Sequence, residues 1–284
     1  MSKKKYNSAP GRGLLTKSAI NDRKEHLLTL GYSVDHIEKT GISYTAIQNN
    51  IESLIGSVEI PTGLVGPLLY CESNGSEEVF CAASTLEGAL VASMNRGAKA
   101  ISLSGGFNTK IIHQKMVRSP LFILSEEENA LHFENWIKEN FEEIKRVSEM
   151  YSNHATLLEI ASHQEKNNVH LNFVYTTGDA AGQNMVGKAT LMACEWIKAN
   201  SPIPCMYMLS GNMDTDKKHS HLNMLHSRGK RVIAEIVLKK EVLARVMKVD
   251  TKMLAGASVL ANTGAQMAGA AYNGPHSANG IASL

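Results

Sequence analysis

Val169-His170-Leu171-Asn172-Phe173-Val174-Tyr175 sets an apolar side chain at every second position, Val169, Leu171, Phe173 and Tyr175. That period predicts a half-buried β-strand. Before it, Gln164–Asn168 reads as a turn, and a further strand is expected over about Thr156–Ser162. After it, Met185, Ala189, Met192, Ala193 and Trp196 share one face of a helix expected over Gly182–Ala199. Pro204–Leu209 is a short apolar run bounded by turn residues, a closing strand. Upstream, Pro120–Leu124 reads as a strand, and Ser125-x-x-Glu128 has the form of a capping box. The helix it would open carries Phe133, Trp136, Ile137, Phe141, Ile144 and Val147 on one stripe.

The order from 120 to 210 is thus strand, helix, strand, strand, helix, strand. This is the split β-α-β-β-α-β plan of ferredoxin-like domains. At its second helix lies Thr177-Gly178-Asp179-Ala180-Ala181-Gly182-Gln183-Asn184. Glycine backbone ahead of a helix N-terminus suits an anion. An ordinary Asp-capped helix fits the same residues. The stretch is neither G-x-G-x-x-G nor a P-loop.

Ser210-Gly211-Asn212-Met213-Asp214-Thr215-Asp216-Lys217-Lys218 follows the closing strand. Gly211 and Asn212 tolerate the backbone angles needed where a strand empties into a cleft. Adjacent lysines beside an aspartate suit a site that holds an anion or stabilises an oxyanion. A solvated loop of mixed charge is the other reading. His219, His221 and His226 lack metal-site spacing, so no metal is expected.

Around this core the sequence predicts a helix over Thr16–Leu30 stopped by Gly31, and a second over Ser43–Ile55. Ile60–Leu69 is apolar but broken by Gly63, Gly66, Pro61 and Pro67, and reads as a rigid loop packed on a partner or ligand. A helix over Leu86–Ser102 is rich in small residues, with Ser84-x-x-Glu87 as its capping box and Ser93, Asn95 and Arg96 on it. Arg231–Leu238 is expected as a strand and Lys240–Val249 as a short helix. Gly264–Leu284 looks like the opening of a buried helix that stops without a cap, which hints at a missing partner segment.

The composition bounds the function. Of 284 residues, 43% are hydrophobic and 20% charged, which places the chain among globular proteins. A net charge of +2 gives no cause to invoke nucleic acid or an anionic membrane. Cys71, Cys81, Cys194 and Cys205 form no C-x-x-C pair, as reduced thiols of a cytoplasmic protein would not. No run of about 18 apolar residues predicts a membrane span. The basic start lacks the apolar core of a signal peptide, and residues 1–12 are expected to be a loose tail.

Together these motifs resemble the 3-hydroxy-3-methylglutaryl-coenzyme A reductase family. The matching pieces are Ile55-Gly56 with Ile60–Leu68, Thr85-Leu86-Glu87-Gly88 into Val91–Gly97, and Met116–Pro120. Gly178–Asn184, Ser210–Lys218, Arg228-Gly229-Lys230 and His276-Ser277-Ala278-Asn279 follow in order. The resemblance covers about residues 40–284 and is to the soluble prokaryotic members. It implies an α/β (α+β) fold, in which a large acyl-CoA-binding domain is built around a central helix and a ferredoxin-like cofactor domain is inserted into it. The implied boundaries are a helical segment over 1–54, the large domain over 55–119 and 211–284, and the insert over 120–210. A homodimer or an assembly of dimers is implied, with the active sites at the subunit interface.

The family reaction reduces a thioester to an alcohol with two hydrides from NADPH, releasing mevalonate and coenzyme A. Each transfer puts negative charge on a carbonyl oxygen, so the site needs a cation and a proton source. By resemblance Lys217 is that cation and Glu87 the acid. Arg118, Ser210, Asn212, Asp216 and Lys218 hold the hydroxymethylglutaryl group, and Ser93, Asn95 and Arg96 the coenzyme A side. His276 and Asn279 fall near the lysine. Ser152, Asp179, Ala181, Gly182, Gln183 and Asn184 correspond to the cofactor site. Two departures stand out. The family's aspartate in G-Q-D and its later histidine lie beyond Leu284, so the chain is expected to be C-terminally truncated. Ser152-Asn153 stands where the family has Ser-Arg, so NADH is not excluded as donor. The alternative is a degenerate relative that binds acyl-CoA or a nucleotide without catalysis.

Overall fold

The computed structural model describes residues 10–11, 14–35, 41–43, 45–47, 50–270 and 277–284. The chain divides into two compact units. One comprises Met1–Pro67, Phe80–Gly97 and Ser277–Leu284, the other Leu68–Val79 and Ala98–His276.

The second unit is organised by β6 (Asn168–Thr176). On one side it pairs antiparallel with β5 (Thr156–Glu165), through a turn in which Lys166 takes a φ of +55°. On the other it pairs with β4 (Leu121–Leu124) and, further along, with the end of β3 (Phe107–Arg118). The strand β7 (Cys205–Met208) closes the far edge against β4, so the order is β5-β6-β4-β7, all antiparallel. Each strand predicted between 120 and 210 is present. The expected half-burial of β6 is exceeded: Val169, Leu171, Phe173 and Tyr175 are all fully buried, and Asn172 and Val174 on the other face are only 6% exposed. Asn172 tolerates this because the Ser119 hydroxyl donates to its Oδ1 at 2.5 Å.

The helical stripe splits into α3 (Ala130–Glu139) and α4 (Phe141–Glu149). Asn140 ends the first by sending its backbone N–H and its side-chain amide to the Trp136 carbonyl, at 3.0 and 2.8 Å. Phe133, Ile137 and Ile144 still fall on one buried face. The Ser125 capping box does not form, because a turn at Glu127–Asn129 precedes α3 with no side-chain cap. α5 (Gln183–Asn200) buries Val186, Ala189, Thr190, Ala193, Cys194 and Ile197. Its buried stripe is thus rotated from the expected one, and Trp196 is left at the edge, stacked on Trp136 at 5.7 Å. β8 (Gly229–Ile236) pairs antiparallel along β3 from Phe107 to Lys115. α7 (Lys240–Val242) runs into a π-turn over Leu243–Met247. A helix missed in the sequence follows, α8 (Thr251–Met267), capped by the Asp250 carboxylate on the Met253 N–H at 2.7 Å. Gly264 therefore closes a helix rather than opening one.

In the first unit α1 (Lys17–Thr29) is capped by Thr16, and Gly31 beyond it takes a φ of +85°, as expected. Arg23 is only 3% exposed, and its guanidinium donates to the carbonyls of Gly11, Leu14 and Leu54. That clasp corrects the predicted second helix. The described residues 43, 45–47 and 50–55 are turns, bends and irregular chain, Ser53 is left-handed at φ +55°, and the Leu54 carbonyl serves Arg23. Of the predicted tail only Pro10 and Gly11 lie within the described residues.

The apolar segment read as a loop is a strand, β1 (Thr62–Glu72), paired as a hairpin with β2 (Gly75–Ser84). The chain passes Gly66 at φ +125°, and a Cβ on Gly63 would press on Val91 at 3.0 Å, so the glycines admit close packing rather than stop the strand. α2 (Leu90–Ser104) starts later than predicted, and Ser84 bonds Thr62 from within β2 instead of capping it. α9 (Ala278–Ser283) completes the described chain.

Phe173 is fully buried and stacks near Tyr175 with ring centroids 6.4 Å apart. Phe173→Ala is expected to cost about 3–5 kcal/mol of unfolding free energy in urea titration. A loss under about 1 kcal/mol would show that β6 is not the axis of the core.

Candidate functional site

β7 delivers the chain into the charged loop predicted from the sequence. The Gly211 N–H donates to the Ser119 carbonyl at 2.7 Å, which fixes where the loop leaves the sheet. A Cβ on Gly211 would lie 2.7 Å from His170 Nδ1 and 2.9 Å from Leu121 Cβ, so only glycine fits. Beyond it Asn212, Thr215 and Lys217 take φ of +66°, +46° and +58°. Left-handed angles at non-glycine residues persist only where surrounding contacts impose them.

Those contacts are specific. Asp214 is 1% exposed, and its Oδ2 lies 3.3 Å from Arg118 Nη1 at the end of β3. The Thr215 hydroxyl bonds Ser220 at 2.9 Å and accepts from Asn223 Nδ2 at 2.6 Å, next to α6 (His221–His226). The Lys218 ammonium donates to Asn212 Oδ1 within the loop. Asp216 accepts from Gln183 Nε2 at 2.5 Å on Oδ2, and its Oδ1 lies 3.0 Å from Arg228 Nη1. The Lys217 side chain is exposed and has no hydrogen bond or ion pair among the described residues. Ser210 is also exposed.

The sequence brought Arg118, Asn212, Asp216, Lys217 and Lys218 into one site, and the structure brings them to one loop and the strand end beneath it. Three participants were missed. Asp214 was read only as part of a charged stretch, yet it occupies one edge of Arg118. Arg228 was quoted in a motif without a role. Gln114, which donates to the Gly178 carbonyl, gave no signal in the sequence.

At the second glycine stretch Gly182 takes a φ of +76° as the residue before α5. A Cβ there would fall 2.4 Å from Thr177 Cγ2. Among the described residues no side chain caps α5, so Asp179 is not its cap. Asp179, Ala181 and Asn184 are exposed, while Gln183 turns to Asp216. Ser152 donates to Met185 Sδ at 2.7 Å and accepts from the His154 and Ala155 N–H groups at 3.1 Å, tying the approach to β5 onto α5. A capless helix start with tight glycine backbone fits a phosphate-bearing cofactor.

In the other unit Glu87 is exposed and accepts from Asn279 Nδ2 at 2.9 Å. Its backbone N–H is held by the Thr85 hydroxyl at 3.0 Å, so it is not the third residue of a capping box. Asn95 accepts from the Gly66 N–H at 2.9 Å and donates to the Leu64 carbonyl at 3.0 Å, so its amide is spent on β1. Ser93 and Arg96 are exposed on α2, and His276 lies outside the described residues. Among the described residues no group of three or more His, Cys, Asp or Glu side chains could hold a metal ion, and no helix is long and apolar enough to cross a membrane.

Comparison with known proteins gives one consistent result. The model of the hydroxymethylglutaryl-coenzyme A reductase family matches residues 19–284. The 3-hydroxy-3-methylglutaryl-coenzyme A reductase of Methanocaldococcus jannaschii is 36% identical over 222 residues, covering 76% of this chain and 55% of the relative. That of Aeropyrum pernix is 36% identical over 252 residues, covering 88% and 59%. The chain thus spans somewhat more than half the length of these curated relatives. A class II reductase from Streptococcus pneumoniae, solved with NADPH in open conformations, superposes with a TM-score of 0.59 at 17% identity, over 86% of this chain and 65% of that one. At that identity the likeness speaks for the fold.

His170 backs Gly211, and burial, reinforced by His163 and opposed by Glu165, pulls its pKa below the ordinary 6.5. The unfolded chain takes up this proton near pH 6.5 while the folded chain takes it up lower, so the contribution is complete above that pH and lost as pH falls. The urea midpoint is expected to drop more between pH 7.5 and 5.5 in the native chain than in His170→Gln. Equal drops would show that His170 does not feel this burial.

Proposed function

Since the chain belongs to the hydroxymethylglutaryl-coenzyme A reductase family, we propose that it serves the NADPH-dependent reduction of (S)-3-hydroxy-3-methylglutaryl-coenzyme A to (R)-mevalonate and free coenzyme A. The observation that carries this reading is the exposed Lys217 ammonium, without a partner among the described residues, on a strained loop whose carboxylates both have partners. In this reading the four-stranded module of β4 to β7 with α3, α4 and α5 is the inserted ferredoxin-like cofactor domain. The working form is a cytoplasmic homodimer or an assembly of dimers.

The bound nicotinamide supplies hydride. Its phosphates fall to the first turn of α5, with Asp179, Ala181, Gly182, Gln183 and Asn184 around it and Ser152 beside it. Asn153 carries no charge for a 2′-phosphate, so NADH remains an alternative donor. Ser210, Asn212, Lys218 and the guanidinium of Arg118 hold the hydroxymethylglutaryl carboxylate and hydroxyl. Lys217 faces the thioester oxygen and stabilises the negative charge that grows there, the step at which a fixed cation contributes most. Glu87, oriented by Asn279, supplies the proton. Ser93 and Arg96 receive the coenzyme A moiety, while Asn95 braces β1.

The test is direct. Purified chain should release heat in calorimetric titrations with the acyl-CoA and with NADPH separately. Its acyl-CoA-dependent NADPH oxidation should exceed that of Lys217→Ala by about 10²–10³-fold, the usual worth of one group that stabilises an oxyanion. Absence of heat from both ligands, or a rate equal to that of the variant, contradicts the reading.

A further inference from the structure

Arg228 opens the motif Arg228-Gly229-Lys230, which the reading above leaves without a role. Its side chain is 12% exposed, and Nη1 lies 3.0 Å from Asp216 Oδ1. That contact is an ion pair by distance without hydrogen-bond alignment: Asp216 Oδ1 and Arg228 Nε and Nη2 are buried with no hydrogen-bond partner among the described residues. A buried guanidinium with idle donors is a poor stabilising element, since desolvated N–H groups without acceptors cost free energy. Its presence calls for another account.

The account lies in what stands next to Asp216. Its carboxylate is one residue from Lys217 and two from Lys218. The Lys218 ammonium donates to Asn212 Oδ1. A carboxylate left to itself would pair with the remaining ammonium, because opposite charges at short range attract. Instead Gln183 holds Oδ2 and Arg228 holds Oδ1. Both oxygens are occupied from outside the loop, and Lys217 has no carboxylate partner among the described residues.

We propose that Arg228 is a positioning residue that keeps the Asp216 carboxylate turned away from Lys217, so that the Lys217 ammonium stays free for an anionic or polarised oxygen of the ligand. This rests on the function proposed above and adds to it the residue that keeps the cation available. Arg228 touches neither substrate nor cofactor in this account. It acts through Asp216 alone, and that makes the claim separable from a general effect on folding.

The experiment is a double-mutant cycle read by calorimetry with 3-hydroxy-3-methylglutaryl-coenzyme A. Arg228→Met should weaken binding by about tenfold, because the freed carboxylate neutralises Lys217. Arg228→Lys, which restores one charge, should recover part of the loss. In an Asp216→Asn background Arg228→Met should cost less than about twofold, since no carboxylate remains to be held. If Arg228→Met fails to melt cooperatively, Arg228→Gln takes its place with the same expectations. Wild-type affinity in the neutral variant, or an equal loss in both backgrounds, overturns the proposal while the reductase reading stands. A native chain that gives no heat with the ligand overturns both.

Discussion

The buried contact between Arg118 and Asp214 is the constraint on which the rest of the site depends. Asp214 is 1% exposed and lies 3.3 Å from the guanidinium. It ties the end of β3 to a loop containing three left-handed non-glycine residues, each worth about 1–3 kcal/mol of strain. A buried ion pair adds little net stability over a well-packed apolar pair, but removing one partner strands a charge at a cost of about 3–5 kcal/mol. The pair is therefore better understood as a specifier of loop geometry than as a source of stability. β3 can play this part because it pairs with β8 along most of its length and with β6 at its last residues.

The charges of the loop are distributed with the same logic. Asp214 takes Arg118, Asp216 takes Gln183 and Arg228, and Lys218 takes Asn212. Each opposite charge near Lys217 is thereby engaged elsewhere. Gln183 carries a second meaning, because it stands in the first turn of α5 and reaches the loop over residues 210–218. The start of α5 and the charged loop thus meet at one carboxylate.

What the sequence revealed depended on where the determining forces are local. The period of Val169 to Tyr175, the turn before it and the apolar runs on either side are local patterns, and they marked the strands of this module, whereas the face that α5 buries was set by its packing. The two capping boxes failed because a Ser and a Glu at the right spacing also fit a strand end and a turn, and tertiary contacts chose those. Ser84 is held by Thr62 across a hairpin, and Glu87 by Asn279, nearly two hundred residues on. β1 was misread because its glycines, taken as breakers, admit the close approach of α2. The helix expected before Gly56 lost to the demand of buried Arg23 for carbonyls. At the site, residue types with unusual charge spacing were visible, whereas Asp214 and Arg228 act through partners 96 and 12 residues away and left no mark on the local pattern.

The central claim is that Lys217 is a free cation presented to a ligand oxygen. A crystal structure of the chain with 3-hydroxy-3-methylglutaryl-coenzyme A measures this most directly. The account predicts the thioester carbonyl oxygen within hydrogen-bond reach of the Lys217 ammonium, about 3 Å, with Asp216 still on Gln183 and Arg228. A ligand bound elsewhere, or a Lys217 ammonium closed onto Asp216 in the complex, would contradict it.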